Sequence, residues 1–179
     1  SYGPERYWWV SFFQVFLLQG VLIWLISAPL LAIQWYGPAA SAFGLLDLLG
    51  LLCWGIGFAF EAGGDWQLAR FKANPANKGK VLDQGFWRYT RHPNYFGDSA
   101  VWWGYGLLCL ASGSYWPALT PLLMTALIIR VSGVMLLEKT LVETKPQYRD
   151  YVARTSAFLP WFPKPAPVSS TGEGVSSAQ

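Results

Sequence analysis

The sequence predicts an all-α integral membrane protein, with four transmembrane helices in two hairpins plus short cytosolic helices and loops. Three observations predict it. Hydrophobic residues make up 53% of the chain and charged ones 13%, about half the share usual in a soluble domain. The charges are also segregated: residues 7–60 hold only Asp47 and residues 99–137 only Arg130, whereas 10 of the 23 lie from Glu61 to Asp98 and 8 from Glu138 to Lys164. Finally, each apolar block breaks at one tight turn. The composition excludes a disordered chain, a disulfide scaffold (it has two Cys) and an ordinary nucleic-acid binder, despite the net charge of +3.

A bilayer core of about 30 Å needs about 20 apolar residues per helix. Span one is predicted over about 8–33, ending at Gln34-Trp35-Tyr36-Gly37-Pro38, a turn with interfacial aromatics. Span two covers about 40–60. Span three covers about 94–111, and Ser112-Gly113-Ser114-Tyr115-Trp116-Pro117 turns the chain into span four, about 118–137. The two turns carry no Lys or Arg, whereas the 61–98 segment carries six and the 138–164 segment five. The positive-inside rule therefore puts the charged loop 61–98 and both termini in the cytoplasm, as four spans require. The first apolar run is too long for a signal peptide and has no basic n-region. A chain that opens at Ser1 without Met reads as processed or truncated. Residues 1–163 are expected to form the membrane domain and 164–179 a disordered tail rich in Pro, Ser and Gly.

The charged segments carry the chemistry. Gly79-Lys80-Val81-Leu82-Asp83-Gln84-Gly85 reads as a turn or short hairpin. Pro93 suits the first turn of a helix, where its missing N–H costs nothing, so span three should begin there. The positive end of that helix would face Arg88, Arg91 and His92, a combination suited to a phosphate or carboxylate. The bland alternative for the same residues is a basic, aromatic belt among lipid headgroups. Asn94, Asp98 and Trp102 recur at i, i+4 and i+8 and so share one helix face, with Arg91 and Tyr95 on an adjoining stripe. Glu61 and Asp65 are likewise i, i+4 at the end of span two. Ionisable groups at that depth are candidates for function; pairing within the bundle, as of Arg130 with Asp47 or Asp98, is the structural alternative. With one His, and with Cys53 and Cys109 inside spans as packing residues, no metal site is expected.

The stretch from Gly57 through Glu61 and Asp65 to Lys72 is followed by Gly85-Phe-Trp-Arg-Tyr-Thr-Arg-His-Pro-Asn-Tyr-Phe-Gly-Asp98, then Trp102-Trp103-Gly104. With Tyr148-Arg-Asp-Tyr151 and the run from Thr155 to Pro163, these segments resemble the DUF1295 branch of the steroid 5α-reductase C-terminal family. The resemblance implies a transmembrane helical bundle around a cytosol-facing cofactor cavity, and reduction of a carbon–carbon double bond in a lipid or steroid-like substrate with NADPH. By the same resemblance, Asp65 matches the residue that holds the adenosine part, and Asn94, Asp98 and Trp102 match those that line the nicotinamide end. Glu61 stands where the steroid enzymes have asparagine, and His92 belongs to an Arg-His-Pro that they lack. Arg70, Lys72, Arg88 and Arg91 are phosphate candidates on charge and placement. Asp98 and Tyr95 are candidate proton donors. The steroid enzymes have seven helices, of which this chain resembles the last four; the carboxylate and tyrosine that polarise substrate there have no counterpart here.

The short core Arg91-His92-Pro93-x-Tyr95-x-Gly97 also resembles isoprenylcysteine methyltransferases, which implies S-adenosylmethionine as the alternative cofactor, held with Glu138 and Glu143. A non-enzymatic membrane scaffold is the third class. The expected partners are the lipid bilayer and a hydrophobic small molecule, with no nucleic acid.

Overall fold

The computed structural model describes residues 4–36, 43–130 and 146–165. Helix α1 (Pro4–Ser11), a wider π turn (Phe12–Leu17) and α2 (Leu18–Ile26) form a rod that is continuously helical and apolar from Arg6 to Ile26. The first predicted span is then interrupted at Ser27, before helix resumes as α3 (Ala28–Tyr36). Pro29 explains the break: it has no N–H to donate and its ring crowds the carbonyl one turn back. The Ser27 hydroxyl donates to the Trp24 carbonyl at 3.0 Å and the Ser27 carbonyl accepts the Leu30 N–H at 3.0 Å, covering the interruption.

Helix α4 (Leu45–Ala73) opens at Gly44, whose N–H donates to the Asp47 carboxylate at 2.9 Å. Asp47 is thus a capping residue, not the partner of Arg130, which is exposed at the end of α6. α4 runs on to Ala73, well beyond the predicted end near residue 60. Its last two turns, residues 67–73, are mostly Gln, Leu, Ala, Arg and Lys, which favour helix, and it stops only at Asn74, whose conformation the following Pro75 restricts. Short 3₁₀ turns at Pro75–Asn77 and Gly85–Arg88 flank an irregular loop. The predicted turn is present, with Gly79 at φ 83°, but residues 79–85 contain no strand.

Helix α5 (Pro93–Ala111) begins at the proline that predicted its start. It ends in a Schellman motif: Gly113, at φ 85°, donates to Leu110 O at 3.0 Å and Ser114 N–H donates to Cys109 O at 3.1 Å. A 3₁₀ turn (Pro117–Leu119) leads into α6 (Thr120–Arg130), and the rest of the fourth predicted span lies outside the described residues. Helix α7 (Pro146–Arg154) and an extended strap to Pro165 close the description. The predicted tail from 164 falls almost wholly outside it.

Two helices, Arg6–Ile26 and Leu45–Ala73, are long and apolar enough to cross a membrane, and Pro117–Arg130 is a shorter apolar helix. Cys53 and Cys109 are both free thiols; Cys109 is fully buried and the Cys53 thiol donates to Ala100 O at 3.3 Å.

The architecture centres on α4 against α5, and glycine makes their approach close. Gly50, Gly57 and Gly64 recur every seven residues along α4, as Gly97 and Gly104 do along α5. A Cβ on Gly57 would lie 2.6 Å from Val101 N and 2.7 Å from Gly97 O; one on Gly50 would lie 3.1 Å from Gly104 O. Small residues at such a seam let two backbones meet, the usual basis of helix pairing in lipid. On its other side α5 is tied to α6 by hydroxyls: Ser99 Oγ and Thr125 Oγ1 are 2.6 Å apart, and the Trp103 indole donates to Thr125 at 3.1 Å.

Candidate functional site

The glycine seam sets the first half of the site. Because Gly64 rests against Pro93, the end of α4 lies beside the first turn of α5. The Asn94 side-chain amide there donates to the Asp65 carboxylate at 3.0 Å. One turn further into the seam are Glu61 and Asp98, both half-buried; the Glu61 carboxyl feels the charge of both Asp98 and Asp65. Trp102, one turn beyond Asp98 on the same face of α5, meets Tyr105 edge-on at 5.7 Å. Glu61, Asp65, Asn94, Asp98 and Trp102 therefore form one cluster.

The second half is a cavity of about 560 Å³ at the end of the helix pair where α4 finishes and α5 begins. Its walls come from the end of α4 (Phe71, Lys72), the loop after it (Lys78, Lys80), the 87–95 segment and α7 (Tyr148, Tyr151). Arg91, His92, Asn94 and Tyr95 line it too, so Asn94 belongs to both halves. The His92 ring stacks on Tyr95 with centroids 5.6 Å apart and planes 7° from parallel. Of the other phosphate candidates, Arg88 is exposed at the end of its 3₁₀ turn, and Arg70 lies over the Trp66 ring at 5.0 Å; neither lines the cavity. Among the described residues no cluster of His, Cys, Asp or Glu could hold a metal ion.

Arg91 also has a structural role. It is 7% exposed, and its Nη1 donates to the carbonyls of Val152 at 3.0 Å and Thr155 at 2.5 Å. Around it, the chain before α5 and the chain after α7 are laced together. Arg91 N–H donates to Ser156 O at 2.9 Å, the Thr90 hydroxyl to Phe158 O at 2.9 Å, and Trp161 N–H to Tyr89 O at 2.9 Å. The Tyr151 hydroxyl donates to Trp87 O. Burial, reinforced by neighbouring Tyr148, pushes the Tyr151 phenol well up, so it stays a donor across the neutral range. The Trp87 indole in turn donates to Gly64 O at 3.0 Å, and Phe86 N–H to the Gln67 side chain at 3.0 Å. An Arg154–Asp83 ion pair ties α7 to the loop.

Sequence reasoning missed Lys78, Lys80, Tyr148 and Tyr151 as cavity residues. The two lysines flank Gly79, whose positive φ marks a turn, and that pairing of basic residues about a turn was the available signal. The tyrosines depend on where α7 docks, which no local pattern discloses. Glu138 and Glu143 lie outside the described residues. A second cavity, of about 740 Å³, sits at the other end of the bundle; Trp24, Leu31, Trp35 and Trp116 are among its walls and no charged residue is.

The chain is 29% identical over 139 residues to a Delta(14)-sterol reductase of Ascobolus immersus, covering 70% of this chain and 30% of that one. It is 30% identical over 108 residues to a Delta(14)-sterol reductase of Schizosaccharomyces pombe, covering 52% and 25%. The matched region thus spans under a third of the length of these curated relatives. No solved structure matches the chain. The profile described as "Protein of unknown function (DUF1295)" matches residues 2–155, which include every described helix, and the chain belongs to the DUF1295 family.

Proposed function

We propose that this chain is the cofactor-holding part of a membrane-embedded reductase that saturates a carbon–carbon double bond in a sterol-like lipid, using NADPH. The observation that carries the reading is the Asn94–Asp65 hydrogen bond at 3.0 Å, placed where the carboxylate seam meets the basic cavity. Lys72, Lys78, Lys80 and Arg91 suit the phosphates of such a cofactor, because ammonium and guanidinium groups give charge-assisted hydrogen bonds. A cavity of about 560 Å³ is of the size usual for small-molecule sites. NADPH, when bound, supplies a hydride. Asp65 and Asn94 orient polar groups of the cofactor at the helix ends, and Asp98 with Trp102 lines the deeper, drier end. Tyr95 and Asp98 are the candidate donors of the proton that accompanies reduction. In this reading four spans put the 61–98 loop on the cytosolic side, and the substrate enters from the bilayer. Its similarity to two Delta(14)-sterol reductases supports a sterol-like substrate.

The test is thermal unfolding of the detergent-purified chain with NADPH, NADH or S-adenosylhomocysteine added. NADPH should stabilise it most. Stabilisation by S-adenosylhomocysteine instead would place the chain with methyltransferases, and stabilisation by none of the three would leave the scaffold reading.

A further inference from the structure

The strap after α7 carries three large, strongly exposed apolar side chains: Leu159 is 66% exposed, Trp161 73% and Phe162 76%. A patch of this kind in water is costly, and aromatic residues of this type collect at the boundary between lipid and water. The level of the strap is set by the fold. About 20 helical residues cross a hydrocarbon core of about 30 Å, and counted from Leu45 along α4 that distance ends near Gly64. Gly64 O accepts the Trp87 indole N–H and Gly64 packs on Pro93, so residues 87–93 lie at that boundary. The strap is bound to this segment by the Trp161 N–H to Tyr89 O bond and the Thr90 hydroxyl to Phe158 O bond, both 2.9 Å. Phe162 meets the Tyr89 ring edge-on at 6.1 Å. Exposed Arg88 and Lys164 flank the patch with positive charge, complementary to lipid phosphates. Pro160 and Pro163 restrict the strap on either side of the two aromatics, limiting the freedom lost on ordering.

We propose that Leu159, Trp161 and Phe162 form an interfacial anchor, seated among the lipid headgroups and upper acyl chains on the side where the basic cavity opens. The anchor holds the 87–92 wall of that cavity at the membrane surface, and it does so whatever ligand the cavity takes.

The test places a fluorophore on Phe162→Cys, in the full chain with Cys53→Ala and Cys109→Ala, in nanodiscs of phosphatidylcholine and phosphatidylserine. Gln84→Cys, exposed in the aqueous loop, is the reference. Nitroxide carried on the upper acyl chain should quench the probe at 162 and spare that at 84; aqueous iodide should do the reverse. Iodide quenching at 162 equal to that at 84 overturns the proposal. So does quenching by neither agent, which would mean that protein covers the patch. If the cysteine-free background does not fold, the same substitutions in the native-cysteine chain, read against labelled wild type, distinguish lipid contact from water contact in the same way.

Discussion

Gly57→Ala should destabilise the protein, whereas Gly55→Ala, two residues away on the same helix, should not. The three atoms nearest a Cβ at 57 are all backbone: Val101 N at 2.6 Å, Gly97 O at 2.7 Å and the Ala100 carbonyl carbon at 2.9 Å. Ordinary contact begins at 3.4 Å, so α5 must retreat by about 0.8 Å, and no side chain can yield in its place. Overpacking of this kind costs about 1–3 kcal/mol. A Cβ at 55 meets nothing within 4 Å. Both substitutions exchange glycine for the better helix former, a gain of about 1 kcal/mol in water, so subtracting one from the other cancels propensity and leaves the clash. At about 2–4 °C per kcal/mol for a chain of this size, Gly57→Ala should unfold about 2–12 °C below Gly55→Ala in a detergent melt. The same retreat would stretch the Asn94–Asp65 bond from 3.0 Å to beyond hydrogen-bonding range, so NADPH affinity should fall in the first variant alone. Equal melting temperatures would refute the close glycine seam, and with it the geometry of the site.

Asp65→Ala and Asn94→Ala should each weaken NADPH binding about tenfold or more, as loss of a hydrogen bond to a charged group implies, with the melting temperature little changed; titration calorimetry reads the first and a detergent melt the second. Arg91→Lys keeps the charge but cannot reproduce two Nη1 bonds to the carbonyls of Val152 and Thr155, so limited proteolysis should release α7 and the strap at a cost of about 1–3 kcal/mol. Tyr151→Phe removes the donor to Trp87 O and should cost about 1 kcal/mol at neutral pH. The folded-state value of that phenol is raised above the unfolded one near 10, so its contribution is complete below about pH 10 and lost as pH rises further. Alkaline melts of wild type should therefore converge on those of Tyr151→Phe, and parallel curves would exclude the mechanism.

What could be read from the sequence was local. Pro93 announced the start of α5 because proline belongs in a first turn, and Ser112-Gly113-Ser114 announced its end because glycine accepts positive φ. The i, i+4 placement of Glu61 with Asp65 and of Asn94 with Asp98 carried over into one cluster because both pairs sit in regular helix. Two features were present in the sequence and unread. Pro29 marks the break at Ser27, and glycines seven apart on both α4 and α5 mark the seam. Others were not local at all. Arg91 reaches carbonyls 61 and 64 residues away, so its part in docking α7 has no signature in Arg-His-Pro. The length of α4 was hidden by the expectation that a helix ends with its membrane span, whereas its polar last turns are simply good helix formers.

That overrun of α4 is what makes a two-part site possible. Had the helix ended near residue 60, Asp65 would lie on a loop and could not be aligned against Asn94 to hydrogen-bonding precision. Continuing as helix, α4 carries Asp65 just past the glycine seam and delivers Lys72 to the cavity about two turns later. The two halves therefore differ in chemistry along a single axis. Towards the membrane, in the proposed orientation, are carboxylates and an indole; towards the cytosol are lysines and Arg91. A ligand that bridges them should be anionic at one end and polar but uncharged at the other, with Asn94 at the join because an amide can donate to one half and accept from the other. A simple phosphate or a lipid headgroup would satisfy only the basic half, and would leave the acidic cluster in the seam without a purpose. The division of charge, more than the volume of the cavity, favours a dinucleotide.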